Sequence, residues 1–304
     1  MLDVLVPLDG SLLAERVLPA AAEIARVNEG QVRLLRAIGL PLAESVIPEI
    51  NDSEAQARAY LEGVAHNRGI RAGVSTGFGS AASMILSQVD AGGIGYVAMS
   101  THARAGLRRA VPGSVAEHVL RAAPVPVYLL PAEAEQRDFS AIKRIAMAVD
   151  GSPLSVAVLE PAALLARQLR AKITLVCVYH SPYGRFDGLQ SVGHTVGQEL
   201  DRLRYETERY AAQLATRLGS YGVHAENATG IDSQPAAGIL RLAKMAEADL
   251  ILMATHGRSG LERLRHGSVT EQVVRHSGLP LLAFGRAALQ HLSAPATVLA
   301  SPEG

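Results

Sequence analysis

Two segments of the chain, separated by 154 residues, have nearly the same sequence. The segments "MSTHARAGLRRAVPGSVAEHVLRAAPVP" (Met99–Pro126) and "MATHGRSGLERLRHGSVTEQVVRHSGLP" (Met253–Pro280) align without gaps, and 14 of their 28 positions are identical. A shorter pair, "VLVPLDGS" (Val4–Ser11) and "IAMAVDGS" (Ile145–Ser152), lies 141 residues apart. Because 304 residues is about twice the length of a typical domain, the repeat predicts two related domains in one chain.

A polar connector, residues 131–143, separates the two copies. We therefore predict a first domain over residues 1–133, a second domain over 142–286 and a C-terminal tail over 287–304 with no clear helix or strand pattern. The separation of the repeated pairs grows from 141 to 154 residues, so the second copy contains an insertion. We place this insertion in the Gly-rich, polar segment 180–198.

Within each copy, short β-branched runs alternate with longer amphipathic segments, which is typical of a parallel sheet covered by helices. The pattern predicts an α/β fold with two tandem, doubly wound, five-stranded parallel-sheet domains of Rossmann-like type. The predicted strands are 4–8, 31–38, 71–76, 94–100 and 125–130 in the first copy and 145–149, 172–179, 224–229, 250–255 and 280–284 in the second. The predicted helices include 12–28, 52–68, 81–91, 114–122 and 198–221.

Charge and cysteine content exclude several classes of function. Lys and Arg (29) balance Asp and Glu (29), so the chain has no broad basic field for nucleic acid or an anionic membrane, and any anion site must be local. The single cysteine, Cys177, excludes an internal disulfide or a multi-cysteine metal site, and its apolar neighbours predict a buried, inert thiol. The absence of a leader and of a long apolar run predicts a cytoplasmic location.

The loop "ATHGRSGLERLRHGS" (Ala254–Ser268) is the main candidate site in the second copy. Glycines such as Gly257 and Gly267 leave room for a phosphate, and Ser268 stands where the next helix begins, so backbone N–H groups and the helix dipole can face an anion. A simpler interpretation is also open. Ser268–Glu271 and Ser114–Glu117 have the Ser-x-x-Glu spacing of a capping box, which only closes a helix N-terminus.

An Asp-Gly-Ser sequence follows the first predicted strand of each copy, at Asp9 and Asp150. In doubly wound sheets, ligands bind at the carboxyl ends of the strands, where the winding direction reverses. If strands one and four are neighbours, Asp150 faces the same crevice as the Ala254–Ser268 loop. The alternative is that each Asp only forms the turn, a common use of this tripeptide.

The repeated unit resembles the universal stress protein family, and the resemblance covers residues 4–284. ATP-binding members carry the pattern G-x-x-G, nine residues, then G-S or G-T. The second copy matches three of the four defining positions with Gly257, Gly267 and Ser268, and departs from the pattern at Ala254. The first copy retains Gly113 and Ser114 but has Ser100 and Ala103 in place of the first two glycines.

The resemblance implies a Rossmann-like fold of the adenine nucleotide alpha hydrolase-like type and a bound adenine nucleotide, expected to be ATP, with Mg²⁺ as a companion of the triphosphate. Residue by residue, it implies nucleotide contacts in the second domain at Asp150, Val178, Met253, Ala254, Gly257, Gly267, Ser268 and Val269. A weaker site is implied in the first domain at Asp9, Ala37, Met99, Gly113, Ser114 and Val115.

The resemblance further implies a stress-response sensor or regulator. We expect no catalytic residue and no metal-ligand set, with at most weak ATP hydrolysis. The two domains are expected to pair through their last strands as an intrachain pseudo-dimer, with a homodimer and an unknown protein partner as further associations, and with no nucleic acid or membrane.

Two other functions stay open at this stage. The departures at Ser100, Ala103 and Ala254 favour a protein-interaction module that binds no nucleotide, and the insertion favours an enzyme that acts on a small substrate. The hydrolase-like pattern Gly73–Gly77 (G-x-S-x-G) has no Ser counterpart in Asn227–Gly230 of the second copy, so we do not assign a serine nucleophile.

Overall fold

The computed structural model describes residues 2–39, 47–101, 114–135, 138–180, 194–255 and 269–293. Its strands are β1 (Asp3–Pro7), β2 (Val32–Ile38), β3 (Ala72–Phe78), β4 (Ile94–Thr101), β5 (Val127–Pro131), β6 (Arg144–Ala148), β7 (Lys172–His180), β8 (Ala225–Asp232), β9 (Leu250–Ala254) and β10 (Leu281–Phe284). Its helices are α1 (Leu12–Glu15), α2 (Leu18–Val27), α3 (Ile47–Arg68), α4 (Ala81–Asp90), α5 (Ser114–Ala122), α6 (Pro153–Ala157), α7 (Leu159–Leu169), α8 (His194–Ser220), α9 (Pro235–Met245), α10 (Val269–His276) and α11 (Arg286–Ser293).

These strands form one continuous sheet in the order β3-β2-β1-β4-β5-β10-β9-β6-β7-β8. The five strands of each half are parallel, and both halves have the same order, with the first strand between the second and the fourth. The chain therefore winds in one direction and then in the other within each half. The predicted fold class, two doubly wound parallel sheets in tandem, is confirmed.

The two halves join through an antiparallel ladder between β5 and β10, in which Leu129 faces Leu281 and Tyr128 faces Leu282. Tyr128 and Leu282 occupy the same position of the repeat, 154 residues apart, so a local two-fold axis passes between them. Both side chains are buried. The expected intrachain pairing through the last strands is confirmed.

The central strands are buried on both faces, as parallel sheets between two layers of helices require. In β1, the consecutive residues Val4, Leu5 and Val6 are all fully buried. Val4 and Val6 belong to the core that includes residues of α2 and α7, whereas Leu5 belongs to the core that includes residues of α4, α5, α9 and α10. Both cores contain residues of both halves of the chain, so the sheet is packed as one unit.

The structure corrects two predicted helical boundaries in the first domain. The predicted helix 12–28 is two helices, α1 and α2, and Pro19 stands in the first turn of the second one, where its missing N–H costs no helical hydrogen bond. The predicted helix 52–68 begins earlier, at Ile47.

The expectation that the tail after residue 286 has no regular structure is wrong for its first part. Residues Arg286–Ser293 form α11, which packs against α6 with Ala288 and Leu289 buried. Eight residues are too few for a clear helical period in the sequence, and such a short helix is stabilised by tertiary packing rather than by propensity. Residues 294–304 lie outside the described residues.

The hydrolase-like segment Gly73–Gly77 lies within β3 and not at a turn between a strand and a helix. The hydroxyl of Ser75 donates a hydrogen bond to the backbone oxygen of Leu34 on the neighbouring strand (3.4 Å). A nucleophile elbow requires a sharp turn that exposes the serine, so this segment is not one. Among the described helices, none is long and apolar enough to span a bilayer.

Candidate functional site

At the carboxyl edge of the second half, β6 ends before its neighbour β7, and the space above the end of β6 is the position at which doubly wound sheets have their ligand crevice. Ala148, the last residue of β6, pairs with Val176 of β7 and with Met253 of β9. The N–H of Val149 still donates to the oxygen of Val176 (3.0 Å), whereas β7 continues to His180. This point is also where the winding direction reverses, the usual ligand position of such sheets.

Asp150 forms a tight turn at the mouth of this crevice. One of its carboxylate oxygens accepts a hydrogen bond from the N–H of Ser152 (3.0 Å), and Gly151 adopts a left-handed φ of 77°. The hydroxyl of Ser152 accepts from the N–H of Ser155 (3.1 Å) and so caps α6. The structure thus confirms the turn-forming role of Asp150, whose side chain is exposed, and its nucleotide contact stays a prediction.

Val178 and Met253 lie on the two strands that flank the end of β6, Val178 on β7 and Met253 on β9. Val178 lies two residues beyond the last β7 residue that pairs with β6, and its side chain packs against Gly238 of α9, where an added Cβ would lie 2.8 Å from Val178 Cγ1. The Met253 side chain is buried in the core. The buried side chain of Met253 leaves only its backbone near the end of β6, and ligand contacts at both positions stay predictions.

The residues on either side of the loop between β9 and α10 are in contact. The buried hydroxyl of Thr270, in the first turn of α10, donates to the backbone oxygen of Thr255, directly after β9 (3.3 Å). Val269 begins α10, and Ala254 ends β9 with its side chain partly buried. The helix N-terminus thus lies beside the carboxyl end of β9. The predicted phosphate contacts Gly257, Gly267 and Ser268 lie outside the described residues.

The first domain repeats the Asp turn. Asp9 accepts hydrogen bonds from the N–H and the hydroxyl of Ser11 (2.9 and 2.7 Å), Gly10 has a φ of 92°, and Ser11 caps α1. Met99 is buried in the core, and Ala37 near the end of β2 is partly buried. The turn is therefore the same in both domains, and the strands around it end within one residue of equivalent positions.

The start of α5 differs from the capping-box expectation. Ser114 lies within the helix and is exposed, Val115 is partly buried, and Glu117 accepts a hydrogen bond from Arg121 four residues later (2.8 Å). Glu117 thus pairs along the helix rather than with the helix start. The predicted contact at Gly113 lies outside the described residues.

A charged cluster lies beside the first crevice, has no counterpart among the described residues of the second domain, and was not predicted from the sequence. The guanidinium of Arg36 lies over the ring of Tyr60 (4.7 Å from the Arg36 Cζ to the ring centroid), and a Cβ added to Gly10 would lie 2.9 Å from Arg36 Nη1. Cys177 occupies the position of Arg36 in the second domain and is buried. The only signal in the sequence is Arg36, one of two arginines among the apolar residues of "VRLLRAI" (Val32–Ile38).

Glu15 holds this cluster together. It is buried, and its carboxylate accepts hydrogen bonds from the Tyr60 hydroxyl and from an Arg68 nitrogen (3.1 Å each). Burial and the neighbouring Glu15 carboxylate raise the pKa of Tyr60 to about 12. Tyr60 therefore stays a neutral hydrogen-bond donor at any physiological pH.

The described residues contain neither a reactive thiol nor a metal site. Burial raises the pKa of the Cys177 thiol to about 12, so it stays protonated and unreactive, as the sequence predicts. No group of three or more His, Cys, Asp or Glu residues able to hold a metal ion occurs in the part of the chain that the structure describes.

Comparisons with known proteins identify the two halves independently. The sequence model described as the universal stress protein family matches residues 1–131 and again 141–284. A universal stress protein of Methanocaldococcus jannaschii is 30% identical over 142 residues, which is 46% of this chain and 80% of that protein. Another, from Bacillus subtilis, is 27% identical over 143 residues, 46% of this chain and 96% of its own length. The crystal structure of a universal stress protein from Archaeoglobus fulgidus covers 93% of this chain and 98% of its own, with 22% identity and a TM-score of 0.69.

Proposed function

The chain belongs to the universal stress protein family, and on this premise we propose that it binds ATP or a related adenine nucleotide in the crevice of its second domain. The observation that carries the proposal is the meeting of three elements at the reversal point: the Asp150 turn, the part of β7 at Val178 that extends beyond β6, and the start of α10. The Thr255–Thr270 hydrogen bond holds this helix start in place (3.3 Å). A helix N-terminus at a switch point favours a phosphate group.

In this proposal, each predicted residue has a defined part. Val269, the first residue of α10, faces the phosphates with its backbone N–H group, and Gly257, Gly267 and Ser268 are assigned to the phosphates from the family pattern. Asp150 lies beside the ribose or adenine, and Val178, Met253 and Ala254 line the crevice. A magnesium ion accompanies the triphosphate and is held mainly by it. The protein acts as a sensor or regulator, because none of the described crevice residues is placed as a general base.

Titration calorimetry with MgATP on the full chain tests the proposal. We expect one nucleotide per chain, and mass spectrometry of the purified protein to detect a released adenine nucleotide. The double variant Gly267→Val with Ser268→Ala should weaken binding by more than about 100-fold, since it blocks the phosphate approach and removes contacts worth about 1.5–3 kcal/mol each.

The matched control is the equivalent double variant of the first copy, Gly113→Val with Ser114→Ala. It should leave MgATP affinity unchanged. No heat of binding and no thermal shift with the unaltered chain would refute the proposal, and loss of binding in the control alone would move the site to the first domain.

For the first domain we propose the second candidate function, a protein-interaction module without nucleotide. The Arg36 guanidinium beside Gly10 supports different functions for the two domains. It brings a bulky cation to the crevice, where the second domain has the small buried thiol of Cys177. Ser100 and Ala103 also replace two motif glycines. A stoichiometry of two nucleotides per chain would contradict the proposal that only the second domain binds nucleotide.

A further inference from the structure

A cleft of about 370 Å³ lies at the amino-terminal end of β7, on the edge of the sheet opposite the nucleotide crevice. Arg167 and Arg170 at the end of α7, Lys172 at the start of β7 and His224 in the turn after α8 line it. Lys172 and Val178 are six residues apart on one strand, so the cleft lies roughly 20 Å from the crevice at about 3.3 Å per residue. It is a separate site.

The basic groups of this cleft are not neutralised by neighbouring carboxylates. Arg167, Arg170 and Lys172 are exposed and form no ion pair with another residue of the described ranges. His224 faces Glu226 at the long distance of 3.9 Å between Nε2 and Oε1. The cleft thus presents three permanent positive charges and an imidazole on one concave surface.

The first domain has the same backbone at this place but a different set of charges, with a carboxylate at one of the positions. The N–H of Gly30 donates to the oxygen of Ala25 (2.9 Å), as that of Ala171 does to Ala166 (2.8 Å), so the two turns correspond. Glu29 then occupies the position of Arg170, and both have a left-handed φ, 54° and 51°.

Two of the remaining positions are also basic in the first domain, Arg26 and Arg71, the counterpart of His224. Arg26, the counterpart of Arg167, is held by both carboxylate oxygens of Glu23 (2.9 and 2.6 Å), whereas the second domain has the uncharged Leu164 at the position of Glu23. Gln31 stands where the second domain has Lys172. The backbone therefore does not require a cation at the positions of Arg170 and Lys172.

Basic residues near a helix C-terminus commonly complement the helix dipole, and this role must be weighed first. At the end of α7, however, Lys143 Nζ already donates to the oxygen of Leu169 (2.9 Å). In the first domain, the corresponding helix ends in the same turn with Glu29 at the equivalent position. Dipole compensation therefore does not account for Arg167, Arg170 and Lys172 together.

We propose that this cleft binds a small polyphosphate, a compact anion with two or more linked phosphate groups. Guanidinium groups form paired hydrogen bonds with phosphate oxygens, and two of them with a lysine match several linked phosphates. The volume is at the lower end of small-ligand cavities. The net charge of zero for the whole chain argues against an extended nucleic acid, which needs a long basic surface.

Calorimetric titration of the full chain with inorganic tripolyphosphate tests this proposal. Arg170→Gly removes one charge at a left-handed position that glycine adopts without strain, so the fold is retained. Both Arg170→Gly and Arg167→Gln should weaken tripolyphosphate binding about tenfold, because each removes a charge-assisted contact. Arg26→Gln, the matched change in the first domain, should leave the affinity unchanged.

Three results would overturn the proposal. One is Arg170→Gly protein that binds tripolyphosphate as tightly as the unaltered chain. Another is loss of tripolyphosphate binding in the Gly267→Val, Ser268→Ala protein, which would place the anion in the nucleotide loop. The third is a glutamate-rich peptide that binds in an Arg170-dependent manner while tripolyphosphate does not bind, which would make the cleft a protein-docking surface. MgATP binding that survives Arg170→Gly would leave the nucleotide proposal intact.

Discussion

The two domains have the same backbone at their crevices and different side chains beside them. Asp9 and Asp150 form the same turn, each followed by a glycine with positive φ and a serine that caps the next helix. Beside the turn, the first domain has Arg36 and the second has Cys177. The turn geometry alone therefore does not determine what each crevice can bind.

The difference shows which positions of a duplicated domain are free to diverge. Core strands must stay apolar on both faces, because the sheet lies between two helical layers. Residues at strand ends and in helix-ending turns contact solvent on one side, so a charge can appear there without disturbing the core. Glu29 and Arg170 illustrate this, since both adopt the same left-handed turn with opposite charges.

The largest loss of stability is expected at the antiparallel ladder between β5 and β10, where the two domains pair. Tyr128→Ala should lower the free energy of unfolding by about 4 kcal/mol, because Tyr128 is fully buried and makes an edge-to-face contact with Phe139 (5.7 Å). Tyr128→Leu, which copies its counterpart Leu282, should cost about half as much. Denaturant unfolding measures both, and a Tyr128→Leu protein as stable as the unaltered chain would show that the aromatic contact contributes nothing.

The next largest effect is expected at Glu15, which corresponds to Val156 in the second domain. Glu15→Ala should cost about 2 kcal/mol, because it leaves Tyr60 and the partly exposed Arg68 without their acceptor. Val156→Ala, the matched change, should cost about 1 kcal/mol, since it removes only apolar packing. Urea denaturation of both variants checks the order, and the reverse order would contradict a structural role of the Glu15 cluster.

A smaller effect is expected for the contact between Arg36 and Tyr60. In a double-mutant cycle with Arg36→Met and Tyr60→Leu, we expect a coupling of about 0.5–1 kcal/mol, which is typical of a guanidinium over an aromatic ring. Chemical denaturation of the four proteins gives this value. A coupling of zero would mean that the two side chains only lie near each other and that Arg36 is free to leave the crevice.

The smallest effect is expected at Asp3, where the second domain has Arg144. Burial alone would raise the pKa of Asp3, but hydrogen bonds from the Gln31 N–H (2.9 Å) and from Arg33 Nε (2.6 Å) outweigh it, and the pKa lies below 3.8. The stabilisation is therefore fully present above about pH 4 and is lost as the pH falls through the lowered pKa.

Asp3→Asn should accordingly destabilise the protein by less than about 1 kcal/mol at pH 7, because the pair is partly exposed. The difference between the variant and the unaltered chain should shrink in unfolding measurements below about pH 4. A difference that stays constant down to pH 2 would show that the Asp3 charge has no part in it.

Much of the fold was predictable because the repeat and the alternation of strands and helices are strong signals. The two DGS turns and the pairing through the last strands followed from the repeated motifs and the family resemblance. Helix α11 was missed because its stability comes from contacts of Ala288 and Leu289 with the rest of the protein, which no local pattern reveals.

The candidate site was predictable only in part. The sequence identifies Asp150 and the loop after β9, but it does not show that Met253 is buried or that Val178 packs against Gly238. The Glu15, Tyr60 and Arg68 cluster joins residues up to 53 positions apart. Such contacts depend on helix packing, and a single sequence does not determine them.

The antiparallel ladder between β5 and β10 affects how the sequence of this protein can evolve. In a pair of identical chains, every substitution at the contact appears in both partners. A substitution in a ligand site likewise changes both copies of that site. Here the two partners are encoded separately, as Tyr128 opposite Leu282 shows. One partner can vary while the other compensates, and because both are covalently linked, their association does not depend on protein concentration.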